Sequence, residues 1–260
     1  MRWFDAGVNL MDPRFDKKAV LAESFEHNVT DLLIIASDLD ESFAAVKFAK
    51  QNNNPDVNLH LTAGVHPHKA DHTSQDTWTQ LRGLLADKAV CAVGECGLDF
   101  NRNFSTPENQ IRTFDAQLQL ALECQKGVYL HERDAFEQQC KMLKPVFQKL
   151  PFLVAHCFTG STEQMKAYLD MGCYIGITGW ICDDKRGYAL QESVKQLPMN
   201  RLLLETDAPY LFPKNVKPRA KQNTPKYISA IAQKVADIKQ VSLQEVAEAA
   251  FENARNLFKS

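Results

Sequence analysis

Val90-Cys91-Ala92-Val93-Gly94-Glu95, then Pro107-Glu108-Asn109-Gln110-Ile111 running on to Gln125, then Val128-Tyr129-Leu130-His131, reads as one strand–helix–strand unit. The outer pieces are short apolar runs of β-favouring residues bounded by turn residues. Between them Ile111, Phe114, Leu118 and Leu122 repeat at helical spacing behind a Thr106-Pro107 start, so Pro107 to Gln125 is expected as an amphipathic helix. Each strand runs into an ionisable residue, Glu95 after the first and His131 after the second. Strands bridged by a helix of this length return parallel.

Outward from this unit, six further runs have the same character: Trp3 to Asp5, Leu32 to Ala36, Leu59 to Val65, Phe152 to Ala155, Tyr174 to Ile177 and Leu202 to Leu204. Helical stretches lie between them, and Ser161 with Gln164 and Ser242 with Glu245 read as capping boxes opening two more. Strict alternation predicts a parallel sheet with helices outside, and eight strands favour a closed (β/α)8 TIM barrel of the α/β class over an open doubly wound sheet. Pro209 to Lys226 reads as a long loop after the eighth strand, and Tyr227 to Lys259 as closing helices.

With 260 residues, 45% of them hydrophobic and 24% charged, the chain is long enough for one large core, so residues 1–260 are expected to form a single domain. No linker or low-complexity tract divides it. The seven cysteines include no C-x-x-C pair, which suits reduced thiols. Neither a signal-peptide run nor a stretch approaching the roughly 18 apolar residues of a membrane span is present, so a cytoplasmic protein is expected, with no membrane and no obligate protein partner. A net charge of -2 advertises no global affinity for nucleic acid. Locally, Ala208 through Ala236 hold no Asp or Glu while Lys214, Lys217, Arg219, Lys221, Lys226 and Lys234 fall among them, which suits a guide for a polyanion at the mouth.

Chemistry-bearing residues gather at the ends of the strands. Asp5 and Asn9 follow the first, His66 and His68 the third, Glu95 and Asp99 the fourth, His131 and Arg133 the fifth, His156 the sixth and Asp207 the eighth. The C-terminal ends of barrel strands converge on one mouth, where active sites of this architecture are built. Glu95, His131, His156 and Asp207 would therefore face a common centre. Carboxylates and neutral imidazoles in that combination suit a divalent metal that activates water. For any single histidine at a strand end, capping a helix or satisfying a carbonyl weighs as much as ligation; four such groups together point to a site. His66 is a candidate to approach phosphate, and Arg133, on the same side of an extended strand as His131, to hold a phosphate oxygen or else form a structural ion pair. The glycines at 94, 97, 160, 176 and 179 are expected in tight turns, because no Walker-type loop is present. Phe104, Trp180 and Tyr210 lie in mouth loops, placed for stacking on bases or for loop packing.

The segments Gly64-Val65-His66-Pro67-His68, Gly94-Glu95-Cys96-Gly97-Leu98-Asp99-Phe100, Leu130-His131-Glu132-Arg133, His156-Cys157-Phe158-Thr159-Gly160 and Glu205-Thr206-Asp207-Ala208-Pro209-Tyr210-Leu211, with Asn253-Ala254-Arg255-Asn256-Leu257-Phe258 at the end, resemble in order and spacing the signatures of the TatD family of deoxyribonucleases. The resemblance covers essentially the whole chain. It implies a metal-dependent hydrolase barrel that cuts DNA, often as a 3′ to 5′ exonuclease, with Glu95, His131 and His156 as metal ligands and Asp207 as ligand or general base. The expected partner is single-stranded DNA, with RNA as a second possibility. Most of the wider family carries His-x-His after the first strand, and Gly7 and Asn9 stand at those positions here. The subgroup nearest TatD itself shares that loss. With fewer nitrogen donors, Mg2+ is the expected ion, Mn2+ next and Zn2+ last. The competing readings are an amidohydrolase acting on a small amide or lactone, since fold does not fix substrate, and a catalytically inactive nucleic-acid-binding protein.

Overall fold

A computed structural model describes residues 1–52 and 56–258. The strands are β1 (Trp3–Val8), β2 (Val29–Ile34), β3 (Asn58–Ala63), β4 (Val90–Asp99), β5 (Gly127–Arg133), β6 (Leu153–Ala155), β7 (Tyr174–Ile177) and β8 (Leu202–Leu204). They lie side by side in sequence order, every pair parallel. Around them run α1 (Lys17–Glu26), α2 (Leu39–Gln51), α3 (Gln75–Leu85), α4 (Pro107–Cys124), α5 (Phe136–Leu143), α6 (Thr162–Asp170), α7 (Tyr188–Gln196), α8 (Ile228–Lys239) and α9 (Leu243–Leu257). This is the (β/α)8 barrel expected from the alternation of apolar runs.

The ring closes through residues beyond β8 rather than through β8 itself. Asp207 N–H donates to Gly7 O and Asn9 N–H to Ala208 O, both at 2.9 Å, and Val8 bridges Ala208 in parallel. The buried Asp5 carboxylate accepts from Thr206 N–H at 2.8 Å and from the Thr206 hydroxyl at 2.5 Å.

Alternate residues of the strands, among them Phe4, Ala6, Leu33, Ala92, Tyr129, Val154 and Leu203, together with Ile35 just after β2, form one buried cluster with Phe251, Ala254 and Phe258 of the C-terminal segment. These fill the barrel interior, and α9 plugs its base. A larger cluster lies between sheet and helices, including Leu32, Leu61, Val93, Phe114, Leu118 and Ile231. Strands buried on both faces account for their unbroken apolar reading, and each fully buried Leu or Ile contributes roughly 1.5–3 kcal/mol.

Several local expectations hold. Thr106 caps α4 through Asn109 N–H, and both capping boxes, Ser161 with Gln164 and Ser242 with Glu245, are formed. The segment from Tyr227 supplies α8 and α9; Lys259, its expected last residue, lies outside the described residues. The glycines of β4 differ from expectation. Gly94 and Gly97 sit inside the strand at φ of 145° and 144°, not in turns. A Cβ at Gly97 would strike the His131 carbonyl oxygen, and one at Gly94 the Tyr129 carbonyl oxygen, so they let β4 lie against β5. The register against β5 shifts between Val93 and Cys96. That irregularity re-aims the chain, leaving Cys96 and Leu98 in the outer core and Glu95 in the mouth. No helix among the described residues is long and apolar enough to cross a membrane.

Candidate active site

The C-terminal mouth opens into a cavity of about 1440 Å3. At its floor is Glu95, 7% exposed. Its Oε1 lies 2.6 Å from His131 Nδ1, 3.5 Å from His66 Nε2 and 3.7 Å from His156 Nε2. Burial alone would raise the Glu95 pKa. Electrostatic attraction to the His66 and His156 rings and the hydrogen bond from His131 outweigh it and hold the carboxyl well below its usual range.

His156 is fixed from behind. Its Nδ1 lies 2.8 Å from Glu205 Oε2 and 2.8 Å from the Tyr129 hydroxyl, which also reaches Ala6 O at 2.7 Å and Glu205 Oε1 at 2.8 Å. A histidine whose Nδ1–H is held by a carboxylate presents Nε2 as a donor for a cation. His156 Nε2 faces the cavity, 3.9 Å from Asp207 Oδ1. Burial disfavours its charged form, but Glu205 and Glu95 outweigh this and push its pKa up to about 10.

Asp207 takes its place from the barrel closure. It follows β8 at φ 51° and accepts a hydrogen bond from Asn9 Nδ2 at 2.9 Å. Burial pushes its pKa up to about 6, against the opposing charge of His156. A carboxylate poised there is suited to accept a proton near neutral pH.

His66 differs from the other two histidines. Its Nδ1 accepts from His68 N–H at 3.1 Å, and burial lowers its pKa to about 4. A neutral ring with Nδ1 as acceptor carries its proton on Nε2, so His66 offers the cavity a donor, which suits an anionic oxygen better than a metal. The sequence-predicted Glu95, His131, His156, Asp207 and His66 thus meet at one place. Arg133 is exposed on the rim of the same cavity, and no ion pair holds it among the described residues. Phe104, Trp180 and Tyr210 also line it, with Phe104 65% exposed and edge-on to His68.

Sequence reasoning missed two supports. Tyr129 and Glu205 orient His156, yet a tyrosine between apolar strand residues reads as core, and Glu205 reads only as Asp207's neighbour. Asp99 was noted at a strand end without a role; its Oδ2 is 2.6 Å from His68 Nε2 and 3.5 Å from His131 Nε2. The basic stretch after Asp207 is divided: Lys214 pairs with Asp183, Lys226 with Glu23 and Lys234 with Asp184. Lys217, Arg219 and Lys221 are exposed but do not line the cavity, whereas Lys69, Arg102, Arg133 and Lys141 do.

Two observations show that these residues fit a divalent ion. Among the described residues His131 Nε2 is buried without a hydrogen-bond partner, and two trios, His66 with His68 and His131, and His156 with Cys157 and Asp207, each bring potential ligand atoms within 4.8 Å of one another. Burial opposes a proton on His131, but Asp99 and Glu95 raise its pKa to about 9. The field that holds protons on these rings also favours a metal cation in their place.

A family model of TatD-related DNases matches residues 4–259. The chain is 45% identical over 259 residues to the 3′-5′ ssDNA/RNA exonuclease TatD of Pantoea ananatis, covering 98% of each. It is 43% identical over 259 residues to the protein of the same name from Escherichia coli K12, again covering 98% of each. Among solved structures, YjjV, a TatD homologue of Escherichia coli K12, superposes with a TM-score of 0.90 at 27% identity, covering 100% of this chain and 98% of that one.

Proposed function

Because the chain belongs to the TatD-related DNase family, we infer that it is a metal-dependent nuclease that hydrolyses phosphodiester bonds, removing nucleotides from the 3′ end of single-stranded DNA and also accepting RNA. The observation that carries this reading is the convergence of Glu95, His131, His156 and Asp207 at the floor of one wide mouth. Glu95, His131 and His156 would hold the metal, with Asp207 as a further ligand. Magnesium fits best and manganese next, because Glu95 and Asp207 supply hard oxygen donors. When bound, the ion lowers the pKa of water and neutralises charge on the phosphate.

The chain's own groups do the rest. Asp207 accepts the proton of the attacking water, oriented by the hydrogen bond from Asn9. His66 Nε2–H donates to a phosphate oxygen, and Arg133 holds a second at the rim. Glu205 and Tyr129 keep His156 in one orientation. The cavity of about 1440 Å3 exceeds the roughly 300–1,000 Å3 usual for small-molecule sites, which favours a polymer over a small amide or lactone. Seven free cysteines suit work in the cytosol.

End-labelled single-stranded DNA, incubated with magnesium, manganese or zinc in turn, tests this. A ladder shortening one nucleotide at a time from the 3′ end, fastest with magnesium or manganese, is the expected result. Internal fragments would overturn the exonuclease assignment, and cleavage that survives a chelator would overturn the metal mechanism.

A further inference from the structure

Cys157 follows His156 directly and brings a donor of a different kind into the mouth. Its backbone is held at φ 45°, with its N–H donating to Glu205 Oε2 at 3.0 Å, and the residue is half-buried in the cavity wall. Its Sγ lies 3.6 Å from Thr178 Oγ1. Sulfur, a ring nitrogen of His156 and a carboxylate oxygen of Asp207 all fall within 4.8 Å of one another.

A second observation points to a ligand at the same place. His156 is 7% exposed, and among the described residues its Nε2 has no partner within hydrogen-bonding distance; the nearest carboxylate oxygens are at 3.7 and 3.9 Å. Zinc with ligands at about 2.0–2.3 Å holds them about 3 to 4 Å apart, the scale of the His156–Asp207 separation. Among the described residues, no other cysteine lines this cavity. Cys91, Cys96, Cys140, Cys173 and Cys182 are buried elsewhere, and Cys124 ends α4.

We propose that Cys157 makes this a mixed nitrogen, oxygen and sulfur site, in which a soft divalent ion such as zinc or cadmium binds Sγ together with His156 and Asp207, while magnesium and manganese use the nitrogen and oxygen donors alone. The inference rests on His156 and Asp207 being metal donors. As the sulfur–metal bond forms, the thiol proton leaves to solvent and no electron is transferred. Thiolate adds much to the binding of zinc or cadmium and little to that of a hard ion. Zinc would therefore gain a donor that magnesium does not use.

The test is a titration of the full chain, first cleared of metal by a chelator, with cadmium, zinc and manganese. Near-ultraviolet thiolate-to-cadmium absorption and calorimetry are the readouts. Wild-type protein should develop the absorption band to saturation at one cadmium per chain. Cys157→Ser should lose it, with zinc affinity lowered at least ~10-fold and manganese affinity changed by less than ~2-fold. Cadmium bound without the band, or a band that persists in Cys157→Ser, overturns the role of sulfur and leaves His156 and Asp207 as donors. If calorimetry finds no ion bound to the wild type, the metal reading falls and this inference with it.

Discussion

At Glu95 one carboxylate oxygen lies within 3.7 Å of nitrogens from three histidines, and each ring is constrained differently. His156 is locked by Glu205 and Tyr129, His66 by the amide of His68, and His131 by Glu95 itself. On the proposed assignment of these residues as ligands, removing one removes the charge that activates water. Glu95→Gln, His131→Ala and His156→Ala should each lower turnover by at least ~100-fold; three variants near wild-type rate would show that these residues are not the ligands. Asp207 gives a signed pH effect. Burial raises its folded pKa to about 6 in the metal-free site, and its deprotonated form takes the proton, so turnover should fall along an acid limb whose midpoint lies at or below about 6 and plateau above. A divalent ion beside it moves that midpoint lower, never higher. Asp207→Asn should be slow at every pH and lack this acid limb; a variant that kept the limb would assign it to another group.

Among the elements, the Tyr129 side chain of β5 reaches β1 across the barrel interior, and there a sequence comparison alone misleads. Asn9 does face the site through Asp207, but Gly7 lies against that side chain, and a Cβ on it would collide with the Tyr129 hydroxyl. A histidine at 7 therefore has no room while Tyr129 keeps that oxygen. Gly7→His should cost about 1–3 kcal/mol by overpacking, and adding Tyr129→Phe should recover part of it in thermal unfolding. Equal stability of wild type and Gly7→His would disprove the close packing. The strands themselves were legible because short runs such as Tyr174–Ile177 and Leu202–Leu204 stand clear between amphipathic helices. The full length of β4 was not, since Gly94 and Gly97 look like turn residues and only the approach of β5 reveals their use. Glu95, His131, His156 and Asp207 were readable because strand ends in a barrel share one mouth. Glu205 and Tyr129 were not, since their importance lies in contacts with residues 27 to 76 positions away or more.

Across the whole molecule, cationic side chains are placed unevenly, and this bears on how a strand reaches the floor. Arg102, Arg133 and Lys141 line the cavity, while Lys217, Arg219 and Lys221 project from the loop after Asp207 without lining it. Each cation that contacts a phosphate of single-stranded DNA adds about 0.7 to the logarithmic salt slope. Changing Arg102, Arg133 and Lys141 together to Glu should reduce that slope by about 2, on the same rule, with the loop triple variant changing it less. The reverse ranking would place the path over the loop instead. The barrel's closure has a consequence for biosynthesis. Gly7 and Asn9 meet Asp207 and Ala208 across nearly the whole chain, and Asp5 meets Thr206. A chain still emerging from the ribosome, short of its eighth strand, lacks Asp207 and cannot seat Asn9. The pairing of Asn9 with Asp207 is thus made only once the residues after β8 have been translated.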